Sequence, residues 1–142
     1  MTTRRNFLQS ACTACAGFAG AGFLMSYLAG CKAASVLTVE TDSKTISIAL
    51  TNFVDKKTQV VRSKNLEFDI LTVKNSESNF TALEMKCTHR DNRLTANDSG
   101  LFCAAHGSRF NLNGDVTAEP ATASLRKYKT AIQENNLIIY LQ

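Results

Sequence analysis

The chain has 142 residues, 44% of them hydrophobic, with a single Pro and a formal charge of +4. That length accommodates one small domain plus a terminal segment, and the composition is neither fibrous nor that of a disordered chain. Setting aside Arg4 and Arg5, which lie in a segment read below as removed, leaves about +2. That is too little to mark a nucleic-acid binder, and no basic stripe interleaved with aromatics occurs.

Residues 1–30 read as an address. Arg4 and Arg5 are followed by an uncharged stretch from Asn6 to Cys31, rich in Gly and Ala between Ala16 and Gly22. The stretch is long enough to span a bilayer by the ~20-residue criterion. A basic start, a weakly apolar middle and small residues before the stop fit a signal peptide better. Thr3-Arg4-Arg5-Asn6-Phe7-Leu8 resembles the twin-arginine export motif, and Leu28-Ala29-Gly30-Cys31 resembles a bacterial lipobox. The lipobox resemblance implies that Cys31 is lipidated and becomes the mature N-terminus. An uncleaved anchor is the other outcome, and both leave the domain membrane-anchored on the periplasmic side. Cys12 and Cys15 have C-x-x-C spacing but lie inside the apolar run, where they read as small apolar residues.

From Cys31 onward the pattern is one of short strands. Val36–Glu40 and Thr45–Leu50 are β-branched and alternating, and Thr58–Arg62 is a short candidate. Leu66–Val73 alternates, Asn75–Asn79 is a polar turn, and Phe80–Lys86 is the partner strand, running straight into Cys87. Leu125–Thr130 and Asn136–Leu141 read as two further strands split by a turn at Glu134–Asn136. No stretch after Cys31 keeps a helical period over three turns. The expected class is all-β, a small antiparallel sandwich or barrel, with residues 87–94 and 103–110 as loops.

Those two loops hold the chemistry. The chain has five Cys and two His. Once Cys12, Cys15 and Cys31 are assigned to the N-terminal segment, every other Cys and both His fall within Cys87-Thr88-His89 and Cys103-Ala104-Ala105-His106. A secreted disulfide framework ordinarily uses four or more Cys. Two thiolates and two imidazoles on paired loops of a rigid scaffold are instead a metal-binding set. On spacing alone two readings stand. One is a structural zinc site in a lipoprotein with a binding role, although zinc more often uses C-x2–4-C and H-x3–5-H pairs. The other is a [2Fe–2S] cluster with two Cys and two His.

Cys87-Thr88-His89 and Cys103-Ala104-Ala105-His106-Gly107-Ser108-Arg109-Phe110 resemble the two boxes of the Rieske family. Gly114-Asp115-Val116, Pro120-Ala121, Leu125 and Tyr128 follow that family's downstream pattern, so the resemblance spans roughly residues 66–141. It implies one [2Fe–2S] cluster per chain, Cys87 and Cys103 on one iron, His89 and His106 on the other through Nδ1, and one-electron transfer with a redox protein or a membrane oxidoreductase complex. It also implies a hydrogen bond from Ser108 to the cluster's sulfur. Two departures stand out. Asn92 and Ala105 occupy the positions where quinol-oxidising members carry an extra disulfide, and Phe110 stands where they carry a Tyr. With fewer hydrogen bonds to sulfur, the expected potential lies below that of the quinol-oxidising class. An oxygenase would need about two more His and a carboxylate for a mononuclear iron, and this chain has no third His.

Overall fold

The structure, a computed structural model, describes residues 34–41 and 44–142. The signal-like segment and Cys31 lie outside them. Eleven strands and one 3-10 turn make up the described chain. Seven strands form one sheet: β1 (Ser35–Thr38), β2 (Thr45–Ala49), β3 (Thr58–Arg62), β4 (Ile70–Lys74), β5 (Phe80–Glu84), β10 (Lys127–Gln133) and β11 (Asn136–Tyr140), in the order β1-β3-β4-β5-β10-β11-β2. Four short strands form the other: β6 (Thr95–Asn97), β7 (Gly100–Phe102), β8 (Arg109–Phe110) and β9 (Val116–Ala118). The 3-10 turn, Leu50–Phe53, follows β2. Among the described residues no helix is long and apolar enough to cross a membrane.

The all-β expectation holds. The strands at Thr58–Arg62, Phe80–Glu84 and Asn136–Tyr140 fall where the β-branched runs placed them. The pairing is not wholly antiparallel, because β1 runs parallel to β3, with Ser35 opposite Gln59 and Thr38 opposite Arg62. The chain crosses from β1 at one sheet edge to β2 at the other before returning to β3, and no local pattern marks such a crossover.

A second difference concerns β4. The alternation from Leu66 suggested a long strand, yet β4 begins only at Ile70. A turn closes ahead of it, with the Leu66 amide donating to the Ser63 carbonyl at 3.2 Å. Asp69 then forms a corner: its carbonyl accepts from the Met85 amide, and its carboxylate takes the Arg62 guanidinium at 2.7 Å. Within β4 burial does not alternate either, since Ile70, Leu71, Thr72 and Val73 are all buried.

The reason lies in two separate cores, one on each face of β3–β5. Val61, Ile70, Phe80 and Ala82 pack with Ile46, Ile48, Phe53, Leu137 and Ile139. Val60, Leu71, Val73, Leu83 and Met85 pack instead with Leu94, Ala96, Leu101, Phe110, Ala121 and Leu125, and with Cys87 and Cys103. Period-2 geometry sends successive side chains into alternate cores, so a strand buried on both faces reads as an unbroken apolar run. Full burial of each large aliphatic side chain contributes roughly 1.5–3 kcal/mol.

The four-stranded sheet went unread in the sequence. Its strands are two or three residues long, shorter than any window in which periodicity can be counted. Arg109–Phe110, expected as loop, is β8, pairing with β7 and β9. Gly100 is required there, because a Cβ would overlap the carbonyl oxygen of Phe110. The turn residue Gly107 has open space around it and a φ of +87°.

Two predictions follow from this packing. Gly100→Ala meets backbone that cannot yield and should destabilise by about 3 kcal/mol. Gly107→Ala meets only the left-handed penalty of about 1–2 kcal/mol. Denaturant unfolding of both variants checks the ranking. The second concerns Tyr128, whose hydroxyl donates to Glu84 Oε1 at 2.9 Å. Burial, and after it that bond, pushes its phenol up to about 12 from 10.0. Between these values the unfolded chain loses the proton while the folded chain keeps it. Its contribution is therefore complete below about pH 10 and is lost as pH rises toward 12. Alkaline unfolding of Tyr128→Phe should show a shallower pH dependence than the parent in that window.

Candidate metal centre

Strand β5 delivers the first loop. After Glu84 the chain makes one further bridge, Lys86 with Arg93, and residues 87–92 turn between them. The Cys87 amide donates to the Asn92 carbonyl at 2.8 Å, and the Asp91 amide donates to the Cys87 carbonyl at 2.8 Å. Strand β7 delivers the second loop in the same way. The Cys103 amide donates to the Ser108 carbonyl at 2.9 Å, and the Gly107 amide to the Cys103 carbonyl at 2.9 Å. Each loop thus closes with the same pair of bonds, four and five residues beyond its Cys. In each, the fourth residue takes a positive φ, 51° at Asp91 and 87° at Gly107. Asp tolerates that conformation better than most residues and Gly best of all.

The shared geometry buries each cysteine and lifts the residues after it. Cys87 and Cys103 are 0% and 1% exposed, while Thr88, Ala104, Ala105 and His106 are exposed. Neither cysteine is in a disulfide. The His89 and His106 rings meet edge to face, centroids 4.9 Å apart and planes at 90°. His89 Nδ1 is buried with no hydrogen-bond partner. An orphaned buried imidazole nitrogen costs about 1–3 kcal/mol, and binding a metal removes that penalty.

A third segment, residues 119–125, closes over both loops. Thr88 Oγ1 donates to the Ala123 carbonyl at 2.6 Å, tying down the first loop. Ser108, 0% exposed, accepts from the Ala121 amide at 3.0 Å, tying down the second. Because Ser108 Oγ only accepts in that bond, its own proton is left to donate elsewhere. The Leu125 amide reaches back to the Gly114 carbonyl at 2.8 Å. The sequence singled out Pro120-Ala121 and Leu125 only through resemblance. The fold shows their use as the clasp between the two boxes.

The structure therefore brings the two cysteines into one core and the two imidazole rings into contact, with the thiols buried and His106 exposed. Phe110, 2% exposed, packs in the core that includes both cysteines and supplies no hydroxyl. Asn92 Nδ2 donates to the Arg90 carbonyl at 3.1 Å, so the loop that lacks the extra Cys is braced by an amide side chain. Two thiols outside any disulfide and two imidazoles, one with a buried and unpartnered nitrogen, are a donor set that fits a [2Fe–2S] cluster.

Comparison with known proteins agrees. A family model for the Rieske [2Fe-2S] domain matches residues 44–129. The cytochrome b6-f complex iron-sulfur subunit of Chlorobaculum thiosulfatiphilum is 32% identical over 83 residues, which is 55% of this chain and 45% of that protein. The chain thus matches about half the length of this curated relative. Among solved structures, the cyanobacterial plasma membrane Rieske protein PetC3 from Synechocystis PCC 6803 superposes with a TM-score of 0.55 at 21% identity, covering 66% of this chain and 97% of that one. A chain from the complex of reduced oxygenase and oxidized ferredoxin in carbazole 1,9a-dioxygenase gives 0.51 at 19% identity, covering 68% and 92%. These structural likenesses bear on the fold. The family match covers more than half of the chain, and together with the paired Cys/His loops it places the protein in the Rieske [2Fe-2S] domain family.

Proposed function

We propose that Cys87 and Cys103 ligate one iron of the [2Fe–2S] cluster, that His89 and His106 ligate the other through Nδ1, and that the protein transfers single electrons. The observation that carries this reading is the buried, unpartnered Nδ1 of His89, whose ring lies edge to face with that of His106. Two neutral imidazoles in place of two thiolates raise a cluster's potential into the ~−150 to +300 mV range. The remaining work belongs to the chain. Core packing holds the thiols away from solvent, the exposed His106 edge gives an electron a short way out, and the Ser108 hydroxyl is free to donate toward sulfur.

The protein is exported and membrane-anchored in this reading, with residues 1–30 as the signal peptide, 31–142 as the Rieske domain and a lipid on Cys31. A twin-arginine signal suits a cofactor that is bound during cytoplasmic folding, because that route carries folded cargo. The names of the relatives, a cytochrome b6-f complex subunit and a plasma membrane Rieske protein, support an oxidoreductase complex or carrier at a membrane. Only residues 32 and 33 separate Cys31 from Ala34, whose amide donates to the Ala96 carbonyl at 3.5 Å. An acyl chain at Cys31 therefore lies within about 11 Å of the folded domain, measured along the chain.

His89→Ala and His106→Ala should each abolish the rhombic EPR signal of the reduced protein, and a native spectrum in either variant would contradict the ligand set. Redox titration should give a midpoint below that of quinol-oxidising members, and a value near the top of the family range would contradict the role given to Phe110. Ser108→Ala should lower the midpoint further. It also strands the buried Ala121 amide, so thermal unfolding should show a loss of about 1–3 kcal/mol.

A further inference from the structure

The four-stranded sheet has one face on the core and one in solvent. Ala96, Leu101 and Phe110 point inward and are 5%, 2% and 2% exposed. The alternate row, Thr95 opposite Phe102 and Phe102 opposite Arg109, stands on the outer face. Phe102 is one of only three large hydrophobic side chains exposed among the described residues. It directly precedes Cys103, and Arg109 directly follows Ser108. Polar Asn97, Ser99 and Thr117 line the shallow hollow they share, and no carboxylate does. Arg90, exposed, follows His89 on the other loop.

Lys86 pairs with Asp91 at 3.2 Å and Arg126 with Glu84 at 3.9 Å. Arg90 and Arg109 have no carboxylate within 4.0 Å among the described residues. Arg93, on the same loop as Arg90, is also outside any ion pair among those residues and lies over the Phe68 ring, 5.4 Å from its centroid. A single exposed Arg is ordinary. An exposed aromatic directly across the strand pair from an unpaired Arg, within one residue of the site's own loop, is the combination that recurs at interface anchors.

We propose that Phe102, Arg109 and Arg90 form the docking face for an acidic, water-soluble redox protein that exchanges one electron with the cluster. The proposal rests on the electron-transfer reading above. Its occupant follows from charge. An apolar lipid or an apolar protein groove would bury two guanidinium groups without partners, which is strongly unfavourable. Carboxylates on a soluble partner supply the bidentate acceptors that Arg fits and steer the encounter. One electron passes between the two proteins, and no bond forms or breaks.

Stopped-flow oxidation of the reduced, full-length holoprotein in detergent tests this. The probes are hexacyanoferrate(III), a trianion; tris(phenanthroline)cobalt(III), a trication; and plastocyanin of an acidic type as the protein probe. Raising ionic strength should slow both anionic probes, hexacyanoferrate(III) and plastocyanin, and Arg109→Glu and Arg90→Glu should slow them about fivefold or more. The trication should react no more slowly with either variant. Phe102→Ser should slow plastocyanin alone, because a small complex ion needs no surface contact. Midpoints equal to the parent's show that driving force is unaltered. Equal slowing of the trication, or rates indifferent to salt and to both charge reversals, would overturn the docking face while leaving the cluster reading intact. A colourless protein with no reducible centre would overturn both.

Discussion

Two loops close on their own backbones in the same way, and the site depends on that closure. At Cys87 and again at Cys103 the amide reaches five residues ahead and the carbonyl is reached from four residues ahead. The pair of bonds fixes each cysteine's direction before any metal is considered. It turns both thiols into one core and leaves His106 exposed. A donor set arranged by backbone bonds is preorganised, since those bonds do not rely on the ligands themselves.

The rest of the fold supplies rigidity at the places where these loops begin and end. Strands β3–β5 are packed on both faces, so β5 runs into Cys87 from the stiffest part of the molecule. The small sheet has little area of its own and borrows the same core, sharing it with Leu71, Leu83 and Met85. Residues 119–125 then join the two boxes through Thr88 and Ser108. Losing either bond would loosen one loop against the other and alter the spacing of the imidazole rings.

What could be read from the sequence follows from the scale of the signal. Strands of five or more residues with a β-branched pattern, such as Thr58–Arg62 and Asn136–Tyr140, were legible because periodicity needs that length. Strands β6–β9 were not, being too short, and the parallel β1–β3 pair left no local trace. The alternation from Leu66 ran past a real corner at Asp69, whose ion pair with Arg62 is visible only in three dimensions. The four candidate ligands were legible because Cys and His are scarce in this chain, so their clustering carried information. The clasp from Ala121 and Ala123 was not, because it uses backbone groups and any sequence supplies those.

The account stands or falls on imidazole coordination of one iron. Pulsed EPR on the reduced holoprotein, with and without 15N-histidine labelling, reads that coordination directly. The account predicts strong couplings to two nitrogens that change with the label. A cluster spectrum with no histidine nitrogen couplings, or a protein whose metal is zinc, would contradict it.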